Sequence, residues 1–291
     1  MVVFITSIRH PANSNSYERV LTLADRALRS VCNQTSDAFR VFVVCNQVPA
    51  LAFSHPNIQF LQVNFPSPSC LPCSHIAVEG VRLDKGSKYL VGLVHAKRLN
   101  PSHVMFFDAD DFISNRVAAF VRQDASHNGW FVKAGYIYSA RRNAFMIMDG
   151  EFQTRCGTCY IVNASLFAVP HDFPADASQE CILSHFGKPF ILELLGSHRY
   201  LQDFLSKNGT PLEPLPFRGV VYHSDHGENW TRSFRFTRKL PKVILTEELR
   251  REFNLWPCEK HITQALPVPA NERACNEAAK SKPLQKRYTT D

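Results

Sequence analysis

The amino-acid sequence predicts an α/β fold: a mixed, mostly parallel, Rossmann-like sheet with helices on its faces. Three observations carry that expectation. Short, largely apolar runs recur at residues 2–8, 39–45, 58–63 and 104–107, and the last has no alternation, as in a strand buried on both faces. Segments of helical period lie among them, so the first half reads β-α-β-β-α-β. The fourth run ends in acids, Phe106-Phe107-Asp108-Ala109-Asp110-Asp111, where open α/β sheets bind their ligands.

Residues 2–8 form the first strand and end in Thr6-Ser7-Ile8-Arg9-His10-Pro11, a loop. Residues 17–32 carry Val20, Leu21, Leu23, Ala24, Ala27, Leu28 and Val31 on one stripe, an amphipathic helix. Residues 39–45 and 58–63 are the second and third strands. Pro66, Pro68 and Pro72 mark a loop. Residues 76–99 read as a long, partly helical segment with Gly80, Gly86 and Gly92 as weak points. Beyond the acids, a helix ends at residues 120–123 and residues 129–139 read as one strand that turns at Arg141, Arg142 and Asn143. Further expected elements are a strand at 157–162, a helix at 175–186, a helix opening at Gly196 and closed by Asn208-Gly209, and a strand at 218–222. Residues 247–253 suit a last helix, and residues 267–291 are poor in large apolar residues and read as a loose tail.

The chain has 291 residues, 45% hydrophobic and 20% charged, a globular composition with material for a sizeable core. No apolar run reaches the ~18 residues of a membrane span. Met1-Val2-Val3-Phe4-Ile5-Thr6 has neither a basic region nor a cleavage site, so it reads as a strand and favours the cytoplasm. The net charge of +7 suits an anionic ligand or membrane surface; without clustered arginines and aromatics it argues against nucleic acid. Nine cysteines include the pairs Cys70/Cys73 and Cys156/Cys159, which together would make a four-thiolate zinc site. Their surroundings read as a Pro-rich loop and a strand entrance, and the count is odd, so reduced thiols are the expectation.

Asp108 and Asp110, two apart at a strand end, are hard oxygen ligands suited to Mg²⁺ or Mn²⁺, which in turn would hold nucleotide phosphates. The plain alternative is an acidic turn or helix cap. His223 and His226, three apart with Asp225 between, suit a borderline metal such as Mn²⁺.

The order of these features, from Thr6-Ser7-Ile8-Arg9-His10-Pro11 through Val43-Val44-Cys45-Asn46 and Phe106-Phe107-Asp108-Ala109-Asp110-Asp111 to Gly227-Glu228-Asn229, resembles GT-A-fold glycosyltransferases. More narrowly it is similar to bacterial family-2-like or rhamnosyltransferase-type enzymes, over about residues 1 to 235. The resemblance implies a GT-A-like domain at residues 1–240, with a nucleotide-binding half to about 112 and an acceptor half after it, followed by a helix and basic tail at 241–291. It implies a nucleotide-sugar donor, a Mn²⁺ or Mg²⁺ ion, and a carbohydrate or lipid-linked acceptor. Thr6, Ser7, Arg9 and Asn46 would surround the nucleotide, Arg9 pairing with phosphate. Lys85 and Lys88 would stand near it. Asp108 would meet the ribose or a metal-bound water, Asp110 would bind the metal, and Asp111 would orient a neighbour. Gly157-Thr158 would bring backbone close to the donor sugar. His226 would be the third metal ligand, with His223 as second choice. Asp176 and Glu180, which share a face if residues 175–186 are helical, would supply the general base, although the usual Glu-Asp pair is absent. Lys280, Lys282, Lys286 and Arg287 would give the tail a peripheral membrane contact.

Other activities fit less well. A sugar-phosphate nucleotidylyltransferase is expected to carry a Gly-rich loop after the first strand, and residues 7–16 contain no glycine. A haloacid-type phosphatase places Asp-x-Asp near its first strand, and here it follows the fourth. A nucleotide- or carbohydrate-binding protein without turnover remains the non-enzymatic alternative.

Overall fold

The computed structural model describes residues 1–68, 75–229 and 235–255. Its strands are β1 (Val2–Ser7), β2 (Phe39–Cys45), β3 (Ile58–Gln62), β4 (His103–Asp108), β5 (Phe112–Ile113), β6 (Gly129–Phe131), β7 (Gly135–Ser139), β8 (Ala144–Met148), β9 (Tyr160–Asn163), β10 (Glu213–Pro214) and β11 (Val220–Ser224). Its α-helices are α1 (Tyr17–Val31), α2 (His75–Lys97), α3 (Val117–Val121), α4 (Gln179–Lys188), α5 (Leu201–Lys207) and α6 (Glu247–Phe253).

Seven strands form a mixed, mostly parallel sheet in the order β10-β6-β9-β4-β1-β2-β3, as the sequence predicts. β1 sits at the centre, parallel to β2 and β4, and its residues from Val2 to Thr6 are buried. β9 runs antiparallel to β4 and β6. α1 begins at Ser16, whose hydroxyl accepts the Arg19 N–H, and it buries Val20, Leu23, Ala24, Ala27, Leu28 and Val31.

α2 is continuous through Gly80, Gly86 and Gly92. Two of these glycines are contact points. A Cβ at Gly86 would lie 2.0 Å from the Ile191 carbonyl oxygen, and one at Gly92 would lie 2.4 Å from Ile5 Cγ2. The helix therefore lies flush on β1 and on the π-helical segment Pro189–Leu195.

Four strands make a second sheet in the order β5-β11-β7-β8, with β11 parallel to β7 and antiparallel to β5. The single strand expected at residues 129–139 is two strands in different sheets, β6 in the first and β7 in the second. The chain turns between them: the Val132 N–H bonds the Cys159 carbonyl, the Lys133 carbonyl accepts the Phe152 N–H, and Gly135 abuts the Phe152 ring. The helix expected from 175 begins at Gln179, capped by Ser178. The one expected from Gly196 begins at Leu201, because residues 196–200 form a loop packed on α2.

Residues past 240 belong to this second sheet. Val243 N–H bonds the Phe145 carbonyl, and α6 buries Phe253 beside Phe112, Phe145 and Val221. Packing thus continues through α6, beyond the limit expected at 240. Cys70, Cys73 and the basic tail lie outside the described residues. Cys156 and Cys159 are buried free thiols. No helix among the described residues is long and apolar enough to cross a membrane.

Candidate active site

Beyond the ends of β1 and β4 lies a cleft of about 430 Å³. Ser7 lines it from the end of β1 and Arg9 from the loop after it, Asp108 from the end of β4 and Asp110 from the turn that follows, and Arg82, Asp84 and Lys85 from α2. Arg155 and Gly157, residues 196–199, and Tyr222, Glu228 and Asn229 close it.

The three acids of Asp108-Ala109-Asp110-Asp111 meet different partners. Asp108 forms an ion pair with Lys85, and the Tyr89 hydroxyl stands 3.4 Å away. Burial alone would raise the Asp108 pKa, but Lys85 outweighs it and holds the group below its ordinary value. A Cβ at Gly157 would lie 2.3 Å from Asp108 Oδ2, so only glycine leaves that carboxylate its place. Asp111 turns inward and is fully buried. It accepts from Thr158 Oγ1 at 2.6 Å, Cys156 Sγ at 3.3 Å and the His223 N–H at 3.0 Å. Burial, then the charges of Asp110 and Asp108, push its pKa well up, which favours the neutral acid.

Asp110 meets His226, with Oδ2 and Nε2 2.8 Å apart. The other ring nitrogen, Nδ1, accepts the Glu228 backbone N–H at 3.2 Å. A nitrogen that accepts is unprotonated, so in the neutral ring Nε2 carries the proton and donates it to Asp110; this tautomer follows from the hydrogen-bond network.

Glu228 fastens the loop that carries His226. Its carboxylate is almost fully buried and accepts from Arg9 Nη1 at 3.2 Å, Asn15 N at 3.1 Å and Ser16 N at 2.8 Å. Its carbonyl accepts Arg9 Nη2 at 2.7 Å. Asn229 closes the same turn, donating to the His223 carbonyl and accepting the His226 N–H. Gly227, at φ +90, supplies the left-handed residue that this turn needs.

The structure brings Ser7, Arg9, Lys85, Asp108 and Asp110 to the cleft, with His226 behind Asp110. Thr6 is buried and its hydroxyl donates to the Phe107 carbonyl at 2.7 Å, tying β1 to β4. Lys88 is buried too, donating to Asp84 at 2.8 Å and to the Ile8 carbonyl at 3.0 Å. Asn46 donates to the Phe65 carbonyl and does not line the cleft. Asp176 and Glu180 are exposed and outside the cleft; Asp176 precedes the Ser178 cap, so the two share no helical face. His223 packs among Phe112, Tyr138 and His226, at ring distances of 5.5, 5.2 and 4.8 Å. Burial and then His226 push its pKa well down, so it is a neutral packing residue.

Sequence reasoning missed Arg82, His198 and Arg199, and singled out Gly227-Glu228-Asn229 without a role for Glu228. Arg82 had a signal, since it lies three residues before Lys85 and shares its helical face. Burial, then Lys85, lowers the His198 pKa to about 4, so this ring is neutral.

These donors do not form the expected metal site. Asp108 already holds an ammonium group, and the His226 lone pair that a cation would need carries a proton directed at Asp110. Among the described residues no group of three His, Cys, Asp or Glu side chains is arranged to hold a metal ion.

No protein-family model matches the chain, and no curated protein matches it. Solved structures resemble it distantly. The homolog of Mycobacterium tuberculosis rv0371c from Mycobacterium sp. strain JC1 has a TM-score of 0.34 and 10% identity, over 77% of this chain and 86% of that one. The galactosyltransferase LgtC, in complex with donor and acceptor sugar analogues, has a TM-score of 0.34 and 12% identity, over 87% of this chain and 100% of its own. The glycosyltransferase GlyE of Streptococcus pneumoniae TIGR4 has a TM-score of 0.29 and 12% identity, over 80% of this chain and 57% of its own. Likenesses of this size say nothing of what the chain acts on.

Proposed function

We propose that this cleft moves a sugar from a nucleotide-sugar donor to an acceptor hydroxyl. One observation supports it above the others. Four acids line the cleft, and three have a lysine or arginine partner: Asp84 with Lys88, Asp108 with Lys85, and Glu228 with Arg9. Among the described residues Asp110 pairs with His226 and with no lysine or arginine. One carboxylate with no lysine or arginine ion pair among the described residues thus shares the cleft with Arg82, Lys85 and Arg199. A base in one cleft with these cations suits an acceptor that must lose a proton and a leaving group that gains negative charge.

In the proposed step the acceptor oxygen attacks the anomeric carbon as the bond from that carbon to the diphosphate oxygen breaks. The bonding electron pair leaves with the nucleoside diphosphate. The hydroxyl proton passes to Asp110. A single displacement of this kind inverts the anomeric centre. The His226 Nε2–H aims the Asp110 carboxylate, and Glu228 aims His226. The cleft side chains position donor and acceptor and exclude water from the reacting carbon.

The test is release of nucleoside diphosphate from UDP-, GDP- and dTDP-linked hexoses, with and without an acceptor sugar. Asp110→Asn should bind the donor within about twofold of the parent and lower the rate by about 10²–10⁴-fold, the usual weight of a general base. A parent that neither binds nor turns over any of these donors overturns the proposal. A fully active Asp110→Asn removes Asp110 as the base.

A further inference from the structure

An Asp-x-Asp after a buried strand raises the expectation of a divalent cation, and three features of this cleft point the other way. The first is the His226 ring. A histidine that binds a metal through Nε2 donates its Nδ1–H to a carbonyl or carboxylate, which fixes the tautomer. Here Nδ1 faces a donor, the Glu228 backbone N–H at 3.2 Å, and that N–H is held in place because the Glu228 carboxylate is clamped by Arg9, Asn15 and Ser16. Freeing the Nε2 lone pair would set two N–H groups against each other. The second is Asp108, whose carboxylate is committed to Lys85 and, through its second contact, to the Tyr89 hydroxyl at 3.4 Å.

The third is the supply of positive charge. Arg82 and Arg199 line the cleft, and among the described residues neither has a carboxylate partner. They share one wall: a Cβ at Gly196 would lie 2.4 Å from the Arg82 carbonyl oxygen, so the loop carrying Arg199 rests on α2 at Arg82. Two guanidiniums carry the formal charge of one divalent ion, and their planar forks match phosphate oxygens in pairs. Lys85, held by Asp108, adds an oriented ammonium beside them.

We propose that Arg82 and Arg199, with Lys85, neutralise the diphosphate of the donor, and that sugar transfer here needs no divalent cation. The proposal rests on glycosyl transfer being the reaction of the cleft. As the bond to the anomeric carbon breaks, the electron pair gained by the diphosphate oxygen meets these guanidiniums, and Asp110 is left free to take the acceptor proton.

The experiment is calorimetry of the full chain with UDP, GDP and dTDP, once in EDTA and once in MnCl₂, together with ¹⁵N NMR of the His226 ring. The nucleotide that binds should do so within about twofold in the two buffers. Arg82→Gln and Arg199→Gln should each weaken it at least about tenfold in EDTA, as expected for a lost charge-assisted hydrogen bond. NMR should show the proton on Nε2. Binding that disappears in EDTA and returns with Mn²⁺, or a His226 ring protonated on Nδ1, overturns the proposal while leaving glycosyl transfer standing. Full affinity in both arginine variants overturns the arginine clamp. A chain that binds no nucleotide in either buffer overturns the proposed function and this inference with it.

Discussion

Glu228→Ala removes the group that joins the last loop of the site to the first. Three donors lose a buried anionic acceptor: Arg9 Nη1, Asn15 N and Ser16 N. Hydrogen bonds to a charged group contribute ~1.5–3 kcal/mol each, and their sum overstates the loss because Arg9 and the loop relax toward water. Arg9 is 27% exposed at its side chain, which screens its share further. A loss of about 3 kcal/mol is the expectation, near the lower end for breaking a buried charged network. For a domain of this size that is a fall of about 6–12 °C in Tm. Urea denaturation followed by circular dichroism gives the free energy, and calorimetry with a bound nucleotide gives the functional effect. Affinity should fall as well, since Arg9 lines the cleft and His226 takes its tautomer from the Glu228 N–H. Glu228→Gln should recover part of both, because its amide oxygen still accepts one or two of the three bonds. A change below about 1 kcal/mol in Glu228→Ala would refute the reasoning, because the clasp would then hold nothing that the rest of the fold does not hold already.

Gly86→Ala should cost about 2–3 kcal/mol or prevent folding, since its Cβ would meet backbone at 2.0 Å and backbone cannot rotate away; a Tm within about 2 °C of the parent would show that α2 and residues 189–195 slide apart freely. Stability should fall as pH drops from about 6.5 to 4. Burial holds His103 and His198 at pKa values of about 4, below the ~6.5 of an unfolded histidine. The unfolded chain binds more protons across that window, so each contributes stability that is present above pH 6.5 and lost toward pH 4, by up to about 1.4 kcal/mol per pH unit. Asp111, raised in the fold, opposes this with the other sign. His223, also held neutral by burial, acts in the same direction, and denaturation midpoints that stay flat between pH 7 and 4.5 would contradict the three buried neutral rings.

The sheet was legible because β1, β2 and β4 bury both faces, and an apolar run on either side of a helix has few other readings. The cleft was legible in part for the same reason: a strand end in an open sheet is where side chains leave the core, so Asp108 and Asp110 followed from the limit of β4, while Ser7 and Arg9 came with the resemblance to GT-A-fold glycosyltransferases. What failed depended on contacts distant in sequence. Residues 129–139 are apolar on both sides of Lys133 although Phe131 and Gly135 serve different sheets, and one exposed lysine does not by itself mark the change of sheet. Gly86 and Gly92 look like helix breakers until the surfaces against them are seen. Lys88 reads like Lys85 from three residues away, yet one is sealed under the loop after β1 and the other reaches Asp108. Asp176 and Glu180 have suitable chemistry and spacing, but the cap at Ser178 starts the helix between them. Gly227-Glu228-Asn229 stood out as a motif, but nothing local told the role of Glu228, because its three donors lie more than two hundred residues earlier.

The acidic turn also has a consequence for how the molecule is made. Asp108 ends β4 in the first sheet, and Phe112 opens β5 in the second, so the chain crosses between sheets within the acids themselves. The first sheet joins residues about a hundred positions apart, as in Thr6 with Phe107. The partners of Asp110 and Arg9 come more than a hundred and more than two hundred positions later. Contacts of such long sequence separation form late, after the loops they close have been shortened by earlier pairing. During synthesis, strands β1 to β4 and β9 have emerged before β11 exists to pair with β5. The growing chain therefore carries a nearly complete sheet whose Asp110 lacks its histidine and whose Arg9 lacks its glutamate. Asp110 and Arg9 stay without these partners until residues 220–229 arrive, and the second core closes only when α6 follows with Phe253.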